Sequence, residues 1–143
     1  MKILIYIQSA EGKINPISLE SLVAAQKLKE EKSAEIYAVT FNASIADELS
    51  QYDVNSIINV NDNSLVNYSP LHYIETFNQL YKKFNPNIII FGHTYETRDW
   101  VPRLSARLDI PFLSDCVGMN INDTITYTRS LYQNKINTDL SVS

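Results

Sequence analysis

Gly92-His93-Thr94-Tyr95-Glu96-Thr97-Arg98-Asp99-Trp100-Val101-Pro102-Arg103-Leu104-Ser105-Ala106-Arg107-Leu108 decides how the chain folds. It follows the apolar run Asn87-Ile88-Ile89-Ile90-Phe91, which is short, β-branched and closed by Gly92, the pattern of a buried strand. A helix is expected from Thr97 to Leu108, with Thr97 as its cap and Pro102 near its start, where a missing N–H is tolerated. Strand, glycine-led loop and helix in that order make one half of a parallel βαβ unit.

The same rhythm extends toward the N-terminus. Lys2 to Gln8 is expected as a first strand, a near-continuous apolar run suited to burial on both faces. Ser18 is expected to cap a helix to about Glu31, with Leu19, Leu22, Val23, Gln26 and Leu28 as its apolar stripe. Ala34 to Phe41 is the second strand, and Ser44 caps a short helix to Tyr52. Asn55 to Val60 is the third strand, and the polar stretch Asn61 to Ser69 is a loop. Ser69-Pro70 opens a helix to Phe84, with Leu71, Ile74, Phe77, Leu80 and Tyr81 inward. Alternation of this kind implies an α/β, doubly wound, mostly parallel, Rossmann-like sheet with right-handed crossovers.

After Pro111 the rhythm changes. Phe112 to Cys116 has the composition of a short fifth strand. Asn120 to Asp123 then marks a turn between Val117–Ile121 and Thr124–Tyr132, and Ile136 to Ser143 alternates like a further strand. Antiparallel edge strands near the C-terminus are therefore expected, within a single domain covering 1–143.

Composition narrows the function classes. The chain has 143 residues, enough for one domain that buries about 70% of its unfolded surface. A net charge of −4 with no basic run argues against nucleic acid and against an anionic membrane surface. The single Cys116 excludes an internal disulfide and cysteine-rich zinc sites, and it is expected as a small buried hydrophobe. Met1 to Ile7 is too short an apolar run for a signal peptide or a membrane span, so the expected location is cytoplasmic.

Chemistry is sought first where an open parallel sheet binds ligands, at the carboxyl ends of its strands. Gln8-Ser9-Ala10-Glu11-Gly12 and Gly92-His93-Thr94-Tyr95 line one crevice there if the first and fourth strands are neighbours. Neither loop carries a Gly-x-Gly-x-x-Gly or P-loop pattern, and Glu11, Glu96 and Asp99 would repel phosphate. His93 and His72 have no Cys or carboxylate at metal spacing, and Ser9 and Ser114 lack a nucleophile elbow. No catalytic and no metal-binding residues are expected.

The Gly-led loop followed by Arg98-Asp99 and by Pro102-Arg103-Leu104 and Ala106-Arg107 resembles the central motif of the electron transfer flavoprotein alpha subunit, in its N-terminal domain. Glu11-Gly12-Lys13 before Leu19-Glu20-Ser21-Leu22-Val23-Ala24-Ala25 is similar to its opening. Ser114-Asp115-Cys116 stands where that family tends to have a Ser-Asp pair, and Thr128-Arg129-Ser130-Leu131-Tyr132 resembles its Arg-x-x-Tyr strand. Thr97 replaces the usual Gly before Arg-Asp, and Gln133-Asn134-Lys135 replaces a small-Gly-Asn run after the Tyr.

The resemblance implies an adenine nucleotide alpha hydrolase-like fold and an assembly or docking domain rather than an enzyme. It implies a beta subunit as partner in a heterodimer that moves electrons from dehydrogenases, such as acyl-CoA dehydrogenases, to the respiratory chain. FAD would belong to the complete complex, in a flavin-binding domain absent from these residues, with none bound by this domain. Arg98, Asp99, Arg103, Arg129 and Tyr132 are the partner-binding residues it suggests. On charge alone, Asp99 serves the helix dipole, and Arg103 and Arg107, four apart, repel each other unless an acid answers them. The chain stops in mid-strand, so excision from a longer protein is expected, with a naturally shortened relative as the alternative. Two other readings stay open: a stand-alone adenine-nucleotide-binding domain of universal-stress-like type, and a homodimerising interaction module.

Overall fold

Strands β1 (Lys2–Tyr6), β4 (Glu35–Thr40), β5 (Ser56–Asn59) and β6 (Ile88–Phe91) hydrogen-bond in the order β5-β4-β1-β6, all parallel. Between β1 and helix α1 (Pro16–Lys32) lies a two-strand hairpin, β2 (Ser9–Ala10) with β3 (Lys13–Ile14). Its loop residues Glu11 and Gly12 both take positive φ, the type I′ geometry that suits the strand twist. Helices α2 (Ala46–Leu49), α3 (Pro70–Phe84) and α4 (Tyr95–Leu108) complete this part. A computed structural model describes residues 1–142, in two compact units, Met1–Leu108 and Asp109–Ser143.

The apolar run at the N-terminus becomes the centre of the sheet. Ile3, Leu4, Ile5 and Ile7 have no exposed surface. Register sets Leu4 between Tyr37 and Ile89, on the face that carries α3 and α4. That face holds Tyr6, Tyr73, Phe77, Trp100 and Leu104 in one cluster. Ile3 and Ile5 point the other way by strand alternation, toward α1 with its buried Leu22, Ala25 and Leu28.

Helix starts differ from the sequence expectation in a consistent way. Asn15 caps α1 by accepting from the Ile17 N–H at 2.9 Å, and Pro16 follows at the first turn. Ser18 is buried one turn inside, where its hydroxyl accepts from the Gln8 N–H at 3.0 Å. Asn42, not Ser44, caps the 3₁₀ turn Ala43–Ile45 that precedes α2. Thr94, not Thr97, caps α4: its hydroxyl accepts from the Thr97 N–H at 3.2 Å, while the Thr97 hydroxyl accepts from the Thr94 N–H at 3.0 Å. This is a capping box built from two threonines. Pro102 consequently lies well inside α4, where it leaves the Arg98 carbonyl without its usual donor.

The buried stripes are also shifted. Leu71 and Val23 are exposed, while Tyr73 and Ile74 take the inward positions of α3 with Phe77 and Leu80. Asp99 sits beyond the first turn of α4, and Glu96 is the acid inside that turn. Trp100 packs in the core, as its ring size requires.

The second unit is an antiparallel sheet of its own, order β7-β8-β9, made of Cys116–Ile121, Ile125–Leu131 and Ile136–Ser141. The turn after Ile121 and the final strand fall where the alternation placed them; Ser143 lies outside the described residues. Phe112 to Ser114 form no strand, because Asp115 takes φ of 56° and breaks the extended run before Cys116. Cys116 is exposed rather than buried.

Candidate functional site

The strand order reverses between β1 and β6, so the crevice expected from the sequence forms where their carboxyl ends part. Its volume is about 510 Å³, and Gln8, Asn15, Ile17, Thr94, Tyr95 and Arg98 are among its lining residues. Short loops fix the walls. Gly92 is buried against the start of α1, where a Cβ would come within 3.2 Å of the Ile17 backbone. Thr94 donates its hydroxyl to the Gln8 amide oxygen at 2.7 Å, tying the α4 cap to the end of β1.

One glycine at this point is therefore committed to helix packing. The Thr94 and Thr97 N–H groups are each met by the other threonine's hydroxyl, and Glu96 is the acid in the first turn of α4. Among the described residues no three His, Cys, Asp or Glu side chains lie together as metal ligands would.

Glu96 is half-buried and turned inward. Tyr6 donates to its Oε1 at 3.2 Å, and burial pushes the Glu96 carboxyl up from its ordinary value while this hydrogen bond pulls it down. Burial raises the Tyr6 phenol strongly, and the neighbouring Glu96 charge adds to the rise.

Three of the five suggested partner residues share α4. Asp99 is answered twice from its own unit: it accepts from the Tyr68 hydroxyl at 2.5 Å and from Arg103 at 2.7 Å. Glu75 on α3 answers Arg107 at 2.5 Å, so the two arginines four apart each have an acid within the chain. Arg98 lies instead over the Tyr95 ring, 5.7 Å from its centroid, and that ring is 90% exposed. Tyr95 is expected from the sequence as a crevice residue and lines it, but its pairing with Arg98 is not, because an exposed aromatic at a helix start has no spacing that distinguishes it from a core residue.

Arg129 and Tyr132 belong to the other unit. Arg129 is on β8, half-buried, with its Nε shielded from water and lacking an acceptor among the described residues. Tyr132 is 75% exposed and begins a turn in which Tyr132, Gln133 and Asn134 all take positive φ. A glycine would occupy such positions without strain, and this chain has none there.

The electron transfer flavoprotein domain model matches residues 3–143. The chain is similar to the electron transfer flavoprotein subunit alpha of Syntrophomonas wolfei, 26% identical over 132 residues that make up 92% of this chain and 41% of that protein. It is also similar to the subunit alpha of Bacillus subtilis, 25% identical over 94% of this chain and 42% of that protein. The probable mitochondrial subunit alpha of Caenorhabditis elegans is 29% identical over 90% of this chain and 38% of its own length. The chain thus spans about two-fifths of the length of the curated relatives it matches. A family model that runs through both units, with the Gly-led loop and the Arg-x-x-Tyr strand in their expected order, places this chain in the electron transfer flavoprotein family.

Proposed function

We propose that residues 1–143 work as the N-terminal assembly and docking module of an electron transfer flavoprotein of alpha type. The module binds a beta-type subunit, and the heterodimer carries electrons from dehydrogenases, acyl-CoA dehydrogenases among them, to the respiratory chain. FAD belongs to the complete complex and is held outside this module, which acts by assembly and not by catalysis, in the cytoplasm and without nucleic acid or membrane insertion. The observation that carries this reading is the family match over both units, residues 3–143. The crevice supports it too, since its glycine serves packing against Ile17 and Glu96 puts an acid in the first turn of the helix, where a phosphate would sit. The same features count against a stand-alone adenine-nucleotide domain. No helix among the described residues is long and apolar enough to cross a membrane.

Purification from the source cells through a tag on this sequence tests the proposal. The expected product is a yellow complex in which a smaller beta-type subunit accompanies the tagged chain. A colourless protein with no second subunit, and with saturable binding of ATP or AMP, would overturn it.

A further inference from the structure

Aromatic rings of the first unit surround Trp100, and their hydrogen-bond partners are unequal. The indole is fully buried, and its Nε1–H has no acceptor among the described residues. Its ring centroid lies 5.7 Å from that of Tyr73, and the Tyr73 centroid lies 5.2 Å from that of Tyr68. Both pairs meet edge to face, at 89° and 83°, the geometry of rings in contact. Tyr68 is 42% exposed, so three touching rings run from the core to solvent. Its hydroxyl donates to Asp99 Oδ2 at 2.5 Å, and Arg103 pairs with Oδ1 of the same carboxylate at 2.7 Å.

Tryptophan and tyrosine side chains give up one electron readily, and the fate of the proton decides where the resulting hole rests. An oxidised indole that passes its N–H proton to a base becomes a neutral radical, a weaker oxidant. Among the described residues Trp100 has no such base, so its radical cation keeps its charge and its power to oxidise a neighbour. An unpaired cation in a dry core is strongly unfavourable, which drives the hole outward. Tyr68 is the opposite case. An oxidised phenol is a strong acid, and Asp99 stands within hydrogen-bond reach of its proton. The competing exit is Tyr6, 5.7 Å from Trp100, whose hydroxyl donates to Glu96 at 3.2 Å. A radical there stays buried, 3% exposed, away from any donor in solution. The shorter bond and the open ring make Tyr68 the terminus.

We propose that Trp100, Tyr73 and Tyr68 form a hole-transfer chain that carries a one-electron oxidation of the core out to the surface, where it is repaired. Electron transfer needs no contact, so an oxidising radical of the reactive-oxygen class takes one electron from the buried indole and leaves as the anion. Trp100 recovers its electron from Tyr68 through the intervening Tyr73 ring, as the Tyr68 hydroxyl proton moves to Asp99. The products are a neutral indole, a neutral phenoxyl radical and a protonated carboxyl, so charge is conserved. At the exposed ring a small one-electron donor of thiolate or ascorbate type reduces the phenoxyl, and Asp99 returns the proton. Phe77 and Phe91 also pack on the indole, but their rings are too hard to oxidise to divert the hole. Every group in the chain lies within Met1–Leu108, so the route is independent of any partner subunit.

Laser photoionisation of the full chain tests the proposal, at the red edge of the absorption band where the single tryptophan absorbs and tyrosine does not. The pulse starts the transfer at Trp100, and transient absorption follows the indole radical cation and the phenoxyl radical. In the wild type the indole signal is expected to give way to phenoxyl with matching kinetics. Tyr68→Phe should lose most of the phenoxyl yield and lengthen the life of the indole radical. Asp99→Asn should slow the Tyr68 step roughly 100-fold, because asparagine keeps a hydrogen bond but takes no proton. Tyr52→Phe, outside the cluster, should behave as wild type does. The three substitutions spare the buried core, and circular dichroism matching wild type shows that each variant is folded. An unchanged indole lifetime and phenoxyl yield in Tyr68→Phe would overturn the proposal. Phenoxyl kept in Tyr68→Phe but lost in Tyr6→Phe would overturn it in favour of the exit at Glu96. A wild-type indole radical that decays with no phenoxyl would overturn hole transfer altogether.

Discussion

Replacing Trp100 by Ala should destabilise the first unit by about 3–5 kcal/mol, the usual cost of removing a large buried aromatic. The indole is fully buried, with ring centroids of Tyr6 and Tyr73 at 5.7 Å, Phe77 at 5.1 Å and Phe91 at 5.2 Å. Those neighbours come from β1, α3 and β6, so the cavity would open where three elements meet and could not collapse by moving one side chain. Trp100→Phe should be much milder. It keeps most of the ring volume and removes an indole N–H that has no acceptor among the described residues. Urea unfolding followed by circular dichroism checks both, since the fluorescence of the chain's only tryptophan is lost in either variant. A Trp100→Ala loss below about 1 kcal/mol would mean that the aromatic cluster is not the core of this unit.

Alkali should unfold the protein cooperatively well before its buried tyrosines titrate in place. Burial raises the Tyr6 phenol above its ordinary value, and burial beside Glu96 pushes Tyr73 up to about 12. A group whose pKa is higher folded than unfolded keeps its full stabilising contribution below the unfolded value, near pH 10, and loses it as the pH climbs toward the folded one. The unfolded chain releases both protons in that window while the folded chain still holds them. By pH 12 this amounts to on the order of 2 kcal/mol for each phenol, a large part of the roughly 5–15 kcal/mol that holds a domain folded. Tyrosinate absorbance should therefore appear together with loss of the circular dichroism signal. Tyr6→Phe, which leaves Glu96 without its donor and so costs about 1 kcal/mol near neutrality, should blunt the alkaline loss. Tyrosinate absorbance from both residues in a chain that keeps its folded signal would contradict the burial of this cluster.

The sheet was legible because its strands announce themselves. Ile3 to Ile7 and Ile88 to Phe91 are apolar runs too short for helices, separated by helical lengths of chain, which implies parallel strands with right-handed crossovers, while their order in the sheet comes from the structure. The helix starts were not legible to within a turn. Thr94 and Thr97 are three residues apart and bond reciprocally, so each hydroxyl carries the signal of a cap, and only the short loop after Gly92 decides between them. Asn15 before Pro16 was the better cap signal for α1, but Ser18 before Leu19 masked it. In α3, Leu71 has the spacing of a core residue, yet Tyr73 fills the space beside Tyr6 and Phe41. Tertiary packing chose between two stripes that sequence periodicity allows.

The candidate site divides in the same way. The crevice between the ends of β1 and β6 follows from topology, and its position was readable once those strands were neighbours. Its chemistry was not, because Gly92 proves to serve the approach of α1, a contact with a residue 75 positions earlier in the chain. Asp99 and Arg103 looked equally available to a partner, whereas Tyr68 and the ion pair between them already answer both. Arg129 shows the converse. Its place within an apolar alternation was visible from Ile125 to Leu131, but only the register of three strands reveals that no acid shares its face.

Amide hydrogen exchange on the full chain, alone and with a beta-type subunit added, bears most directly on the proposal that a folded α/β unit assembles with such a subunit. Ile3 to Ile7 and Phe77 to Leu80 are expected to exchange slowly in both samples, because their protection comes from the core of the first unit. Adding the subunit should slow exchange in a defined segment of the chain's surface. Exchange that is unchanged along the whole chain when the subunit is added would contradict the account.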